Sequence, residues 1–229
     1  MRIGILGGTG PAGSALAARL GSIGHTVVIG SRSQSRAVET RDSLVALHPE
    51  LDGRLEAGDN PAAAGCDVVV VATPWDSAAP TAREFADELQ GKVVISMANA
   101  LVRVGGEFHP LLPPRGSVAA HVQAAVPGSR VVAAFHHVPA KELGHIGHPV
   151  ESDVMICGDD DAAVDVVAEI VDAIPGCRPL HAGTLSSAAA IESFTAVLLQ
   201  LNVRYKTRAA PRLTGIRDRQ AEPLAAGAS

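Results

Sequence analysis

The chain has 229 residues, 47% of them hydrophobic and 19% charged, with a formal net charge of -5 at pH 7. That apolar share fills one substantial core and excludes a disordered chain, while the negative balance argues against a general nucleic-acid or acidic-membrane binder. One Trp, one Tyr and four Phe leave the core to Val, Ile, Leu and Ala, which suits buried parallel strands flanked by helices.

Arg2 to Leu6 reads as a strand. Pro11 to Ile23 reads as a helix with Leu16, Leu20 and Ile23 on one face, and Gly24 is its left-handed stop. His25 to Ile29 is the second strand, Ser35 to Leu47 a helix with a polar face, and Arg54 to Ala57 a short strand. Asn60 is expected to cap a brief helical turn. In "DVVVVATP", four consecutive valines mark a strand buried on both faces. There follow a helix within Ser77 to Leu89, the strand "KVVISM", a Gly/Pro-rich passage ending near Gly116, a helix near Ala119 to Ala125 and the strand "RVVAAF". "KELGHIGHP" reads as a loop, "SDVMICG" as a strand, "DDDAAVDVVAEIVDAI" as a helix stopped by Pro175 and Gly176, and "CRPLHA" as a last strand. Leu185 to about Lys206 is the longest helical candidate, with Ile191, Phe194, Leu198 and Leu201 at helical steps, and is expected to pack outside the sheet. After Arg217 there is no periodicity.

This alternation predicts an α/β fold: a Rossmann-type, doubly wound, mostly parallel sheet with a small helical C-terminal portion. Residues 1–182 are expected to form the nucleotide-binding domain, 183–216 the helical portion and 217–229 a frayed tail. Cys66, Cys157 and Cys177 form no C-x-x-C pair and leave one over in any disulfide scheme. A reducing compartment follows as the simpler reading. With no cleavable signal pattern and no apolar run of the roughly 18 to 20 residues a membrane span needs, a cytoplasmic location is expected.

Gly8-Thr9-Gly10-Pro11-Ala12-Gly13 fits G-x-G-x-x-G, follows a predicted strand and opens a predicted helix. In that setting Gly8 allows the tight turn, Gly10 leaves room for a pyrophosphate and Gly13 lets helix and strand approach. The free amides at the helix start then stabilise phosphate charge. About 20 residues further on, an NAD site carries an acid for the ribose hydroxyls. Here Ser31 and Arg32 stand instead, with Arg36 a turn later. A hydroxyl and one or two guanidinium groups favour a 2'-phosphate, so NADP(H) is the expected dinucleotide.

The segments "AFHHVPA", "TPW" and "AIESFTAVLLQLN", with "ILGGTGPAGSALAARLGSIGHTVVIGSR" and "CGDDD", resemble the NADPH-dependent reductases of the 8-hydroxy-5-deazaflavin coenzyme F420. The resemblance runs to about Ile216. It implies a homodimeric oxidoreductase in which the deazaflavin, a co-substrate, stacks on the nicotinamide of NADP(H) for direct hydride transfer. By position, it implies that Thr9 to Ala12 line the pyrophosphate and that Ser31, Arg32 and Arg36 hold the 2'-phosphate. Thr73, Pro74 and Trp75 would lie on the nicotinamide side, with Asn99 to Leu101 bordering the same cleft. His136, Val138, Pro139 and Ala140 would frame the reacting rings, Ser193 and Thr195 would form a polar pair beside them, and Leu213 would touch the deazaflavin. Arg36 stands where the family has lysine, which keeps the charge. His136, Ser193 and Thr195 are the candidate catalytic donors, because reduction leaves charge on the deazaflavin ring.

Other features read more plainly. His136-His137 would point to opposite strand faces, and His145 and His148 lack companions at ligand spacing, so no metal site is expected. Asp159-Asp160-Asp161 suits a helix cap. Arg204, Lys206, Arg208 and Arg212 form a solvated basic face or a local path for an anionic ligand. Fold alone leaves open another acceptor, an imine or a ferric chelate, or a non-catalytic NADPH-sensing module.

Overall fold

A computed structural model of the chain describes residues 1–216. The expected tail, 217–229, lies outside the described residues. In chain order, β1 (Arg2–Leu6), α1 (Pro11–Ser22), β2 (Thr26–Ser31), α2 (Gln34–Leu47), β3 (Leu55–Asp59), α3 (Asn60–Ala64) and β4 (Val68–Val71) form the first half. α4 (Trp75–Glu84), β5 (Val93–Ser96), β6 (Leu101–Val104), β7 (Glu107–Pro110), α5 (Val118–Ala125) and β8 (Arg130–Ala133) follow. The chain continues through α6 (Ala140–Gly144), β9 (Ser152–Gly158), α7 (Asp161–Asp172) and β10 (Cys177–His181) to the 18-residue α8 (Ala188–Tyr205).

Eight strands make one sheet in the order β10-β9-β8-β5-β4-β1-β2-β3. Every neighbouring pair is parallel except β8 and β9. The valines of β4 show why this sheet is central. Val68 and Val70 enter a core beneath α1 and α7, while Val69 and Val71 enter a second core beneath α4, α5 and α8. A strand's side chains alternate between faces, so an unbroken apolar run suits only a sheet covered on both sides. Ile3 and Ile5 of β1 share the first core and Leu6 the second. Gly4 between them admits α3, because a Cβ there would collide with the Ala63 carbonyl oxygen.

Four expectations are corrected. Asp59, not Asn60, caps α3, its carboxylate accepting the Ala62 N–H at 2.9 Å. The Gly/Pro-rich passage holds the antiparallel hairpin β6–β7, turned by Gly105 and Gly106, both at positive φ. "KELGHIGHP" begins with the short helix α6. Helix α4 starts at Trp75 and ends at Glu84, earlier at both ends than its apolar pattern indicates. The other caps follow rule: Ser33, Ser117 and Asp160 each accept an amide of the first turn of their helix.

Candidate functional site

In a doubly wound sheet, ligands bind outside the carboxyl ends of the strands, where the chain leaves for opposite faces. Here Gly7 follows β1, and its φ of 76° makes the tight turn assigned by sequence to Gly8. Gly8 is close-packed instead, because a Cβ would lie 3.1 Å from Ile29 Cγ2, and its N–H donates to the Gly30 carbonyl at 2.9 Å. A Cβ on Gly13 would sit 2.8 Å from the Gly7 oxygen, so α1 rests directly on the loop. Gly10 has open space in front of it, with nothing closer than 3.5 Å to such an atom. No side chain caps α1 and no acid stands in its first turn. Among the described residues, the N–H groups of Thr9, Ala12 and Gly13 have no acceptor within the chain. Unclaimed amides at a helix start fit a pyrophosphate.

At the end of β2, Ser31 is buried and its hydroxyl accepts the Ser33 N–H at 3.2 Å. Arg32 and Arg36 are exposed, and among the described residues neither forms an ion pair. Asp59, the partner of Ser31 at the end of β3, is engaged in capping α3, so the exposed donors at this corner are the Arg32 and Arg36 guanidinium groups, which fit a phosphate ester.

The next strand ends carry a polar knot. Asn99, beyond β5, donates from Nδ2 to the His136 carbonyl at 3.2 Å. Thr195 on α8 lies with its hydroxyl 3.1 Å from Asn99 Oδ1 and 3.2 Å from the same carbonyl. Three residues singled out from sequence are thus brought together, although His136 takes part through its backbone. Its ring is enclosed against the backbone of Met97 and Ala98, with neither nitrogen hydrogen-bonded. Burial, with His137 beside it, holds the imidazole down at about 3, so it is neutral at physiological pH. Phe135 just before it has φ 65°, a strained backbone that costs on the order of 1–3 kcal/mol and is kept in place by its surroundings. Thr73 Oγ1 after β4 and Ser96 Oγ at the end of β5 are also buried without partners. Unpaired polar atoms therefore gather at the carboxyl ends of the central strands, where a ligand would lie.

The remaining predicted residues take these places. Pro74 and Trp75 open α4 and are exposed, with Trp75 beside Arg83, Pro113 and His121 along a cavity of about 310 Å3. Leu101 begins the hairpin. Val138 is buried, and Pro139 and Ala140 lead into α6. Ser193 is half-buried, its hydroxyl outside the knot. Leu213 is exposed at the sheet edge, its N–H donating to Asp153 at 2.6 Å and its carbonyl accepting from Arg178. None of its hydrogen bonds reaches the glycine loop or the knot. His137 donates from Nε2 to the Ile191 carbonyl at 2.7 Å and meets the edge of Phe194. Among the described residues, no three metal-ligating side chains gather.

Two functional candidates escaped the sequence reading. Arg19 is buried in α1 and donates to the carbonyls of Glu142, Leu143, His145 and Ile146, which fixes the end of α6 against α1. Glu192 is buried in α8, with its carboxylate on the first amides of α5. The visible signal for each was a charged residue at helical spacing from apolar neighbours: Arg19 from Leu16 and Ile23, Glu192 from Ala188.

Sheet order and the glycine turn define a Rossmann-type fold, the class that binds dinucleotides at its strand ends. Comparison narrows the class. Residues 2–100 match the family model for NADP oxidoreductases dependent on coenzyme F420. The F420-dependent NADP reductase of Methanocaldococcus jannaschii is 36% identical over 225 residues, 95% of this chain and 97% of that one. The protein of the same description from Methanothermobacter thermautotrophicus is 32% identical, covering 96% and 97%. A crystal structure from Arthrobacter sp. FB24 superposes with a TM-score of 0.73 at 24% identity, covering 91% of this chain and 96% of the other, which speaks to the fold. The chain belongs to the coenzyme F420-dependent NADP oxidoreductase family.

Proposed function

We propose that the protein is an oxidoreductase that transfers a hydride between NADP(H) and the deazaflavin coenzyme F420, its co-substrate. One observation carries this: a free-amide cradle, the exposed Arg32 and Arg36 beside Ser31 and the Asn99–Thr195–His136 knot share one end of one sheet, in a member of this family. Together the two substrates supply the redox chemistry, a hydride passing from nicotinamide C4 to deazaflavin C5.

The chain's own part is to bind, orient and exclude water. Gly8 to Gly13 receive the pyrophosphate, with Thr9 and Ala12 amides as donors. Ser31, Arg32 and Arg36 receive the 2'-phosphate. Thr73, Pro74, Trp75, Asn99 and Leu101 border the nicotinamide, and Val138, Pro139 and Ala140 frame the deazaflavin, with Leu213 at its outer side. Ser193 and Thr195 offer hydroxyls to the ring system, and His136 offers a neutral imidazole once its loop admits the ring. Residues 1–182 form the NADP-binding domain, and 183–216 complete the deazaflavin site.

The protein works in the cytoplasm as a homodimer. Support for the compartment comes from the free thiols of Cys66, Cys157 and Cys177. Support for the dimer comes from Phe194, Val197, Leu201 and Tyr205, an exposed apolar stripe along α8. The test of the assignment is optical: mixing protein, NADPH and oxidised deazaflavin bleaches the deazaflavin's visible band. Turnover of an imine or ferric chelate without bleaching, or NADPH binding with no oxidation, would overturn it.

A further inference from the structure

Helix α8 turns one acidic side chain inward. Glu192 is 4% exposed and, among the described residues, meets no cation. Its Oε2 accepts the Val118 N–H at 2.8 Å and its Oε1 the Ala119 N–H at 3.0 Å. These are the first two amides of α5, and the third, of Ala120, goes to the Ser117 hydroxyl at 3.0 Å. A helix start leaves such donors without partners, and a carboxylate matches both their geometry and the positive end of the helix. Three residues further along α8, on the same face, Thr195 reaches Asn99 and the His136 carbonyl. Ser193 lies between the two anchors.

We infer that Glu192 is a positioning residue for hydride transfer: its carboxylate, seated on the amino end of α5, fixes the height and rotation of α8, and Thr195 passes that placement to the Asn99 and His136 loops. This rests on the proposed function. Both carboxylate oxygens are in use as acceptors, so a proton on either leaves one α5 amide without its partner. Burial pushes this carboxyl up to about 7, against the two amides that pull it down, so the seat is made and lost in the neutral range. The other titratable groups packed nearby are Cys157 and Asp159 at the end of β9, His137 before α6 and His121 on α5. Burial, then the charges of Glu192 and Asp159, push Cys157 up to about 12. His137 is pushed down by burial, so both it and Cys157 are neutral at pH 7. Asp159 accepts the Leu185 N–H, and His121 Nε2 accepts the Arg115 N–H.

The test is single-turnover hydride transfer from NADPH to the oxidised deazaflavin, from about pH 5.5 to 8.5, in wild type and Glu192→Gln. The wild-type rate should rise with pH around a midpoint near 7. The variant keeps the shape of the side chain but one acceptor, so at the upper end it should be roughly tenfold slower and lack that step, with the KM for NADPH within about twofold. A variant with wild-type rate and wild-type pH profile overturns the inference. Wild-type protein that transfers no hydride overturns the proposed function instead. If the variant does not fold, the wild type still decides: Val118 and Ala119 amide resonances should titrate with the midpoint of the rate, and amides that do not move across that step overturn the inference.

Discussion

At Gly13 one methyl group decides whether the nucleotide loop can close. A Cβ would lie 2.8 Å from the Gly7 oxygen and 2.9 Å from Gly8 Cα, backbone atoms that cannot step aside cheaply. Gly13→Ala should therefore weaken NADPH binding and cost about 1–3 kcal/mol of stability, measurable by titration calorimetry and thermal unfolding. Unchanged affinity would contradict the loop's assignment. At Arg32, the charge itself is at stake. Arg32→Asp should raise the KM for NADPH far more than that for NADH, about tenfold for each 1.4 kcal/mol of phosphate interaction lost. Equal losses for both cofactors would remove the 2'-phosphate from this corner. His136→Ala should slow the hydride step with NADPH affinity nearly unchanged, and an unaltered step would leave the residue a packing group. That a glycine turn joins β1 to α1 was legible in the sequence because spacing and placement were both visible. Which glycine takes the positive φ was not, since Gly7 and Gly8 are adjacent and only the coordinates separate a left-handed turn from a close contact.

Among the elements, α6 and α8 are each bonded to a neighbouring helix through one buried charged side chain, Arg19 and Glu192. Arg19 caps the carbonyl end of α6 with four hydrogen bonds and, among the described residues, forms no ion pair. Arg19→Met should cost about 2–4 kcal/mol, seen as a lowered urea midpoint. Glu192 sets a pH dependence opposite to that of activity. Its folded-state value of about 7 lies above the ordinary 4.5, so the folded chain holds the extra proton between those values. Stability from this group is full below about pH 4.5 and is lost as pH rises through 7, by up to about 3 kcal/mol. Wild-type Tm should fall over that window relative to Glu192→Gln, and parallel curves would refute the burial argument. The strands were legible because runs such as Val68–Val71 admit one reading. The hairpin was hidden although Gly105-Gly106 stood between "LVRV" and "EFHP", because largely exposed strands give no clean alternation. α6 was hidden because five residues are too few to show a helical period.

For the whole molecule, charge and surface decide partners. The basic run at the C-terminal end is less free than its sequence indicates. Arg208 bonds Glu142 at 2.6 Å, and Arg212 lies near Glu151 and the buried Asp153, which leaves Arg204 and Lys206 as its unpaired cations among the described residues. The segment therefore acts first as a strap across β9 and β10, with the Asp153 N–H donating to the Pro211 carbonyl at 2.7 Å. Sequence showed the charges but not the carboxylates opposite them, which come from elements up to about 66 positions away. The α8 stripe is exposed, so if the proposed homodimer forms through it, light scattering should give a dimer mass for the wild type and a monomer mass for Val197→Glu with Leu201→Glu, and a monomeric wild type would refute the dimer. Direct hydride transfer between two stacked rings is tested most directly by isotope tracing. With NADPH deuterated at the transferred position of nicotinamide C4, the deuterium should appear at C5 of the reduced deazaflavin and none should be released to water. Deuterium found in the solvent, or an unlabelled deazaflavin product, would contradict it.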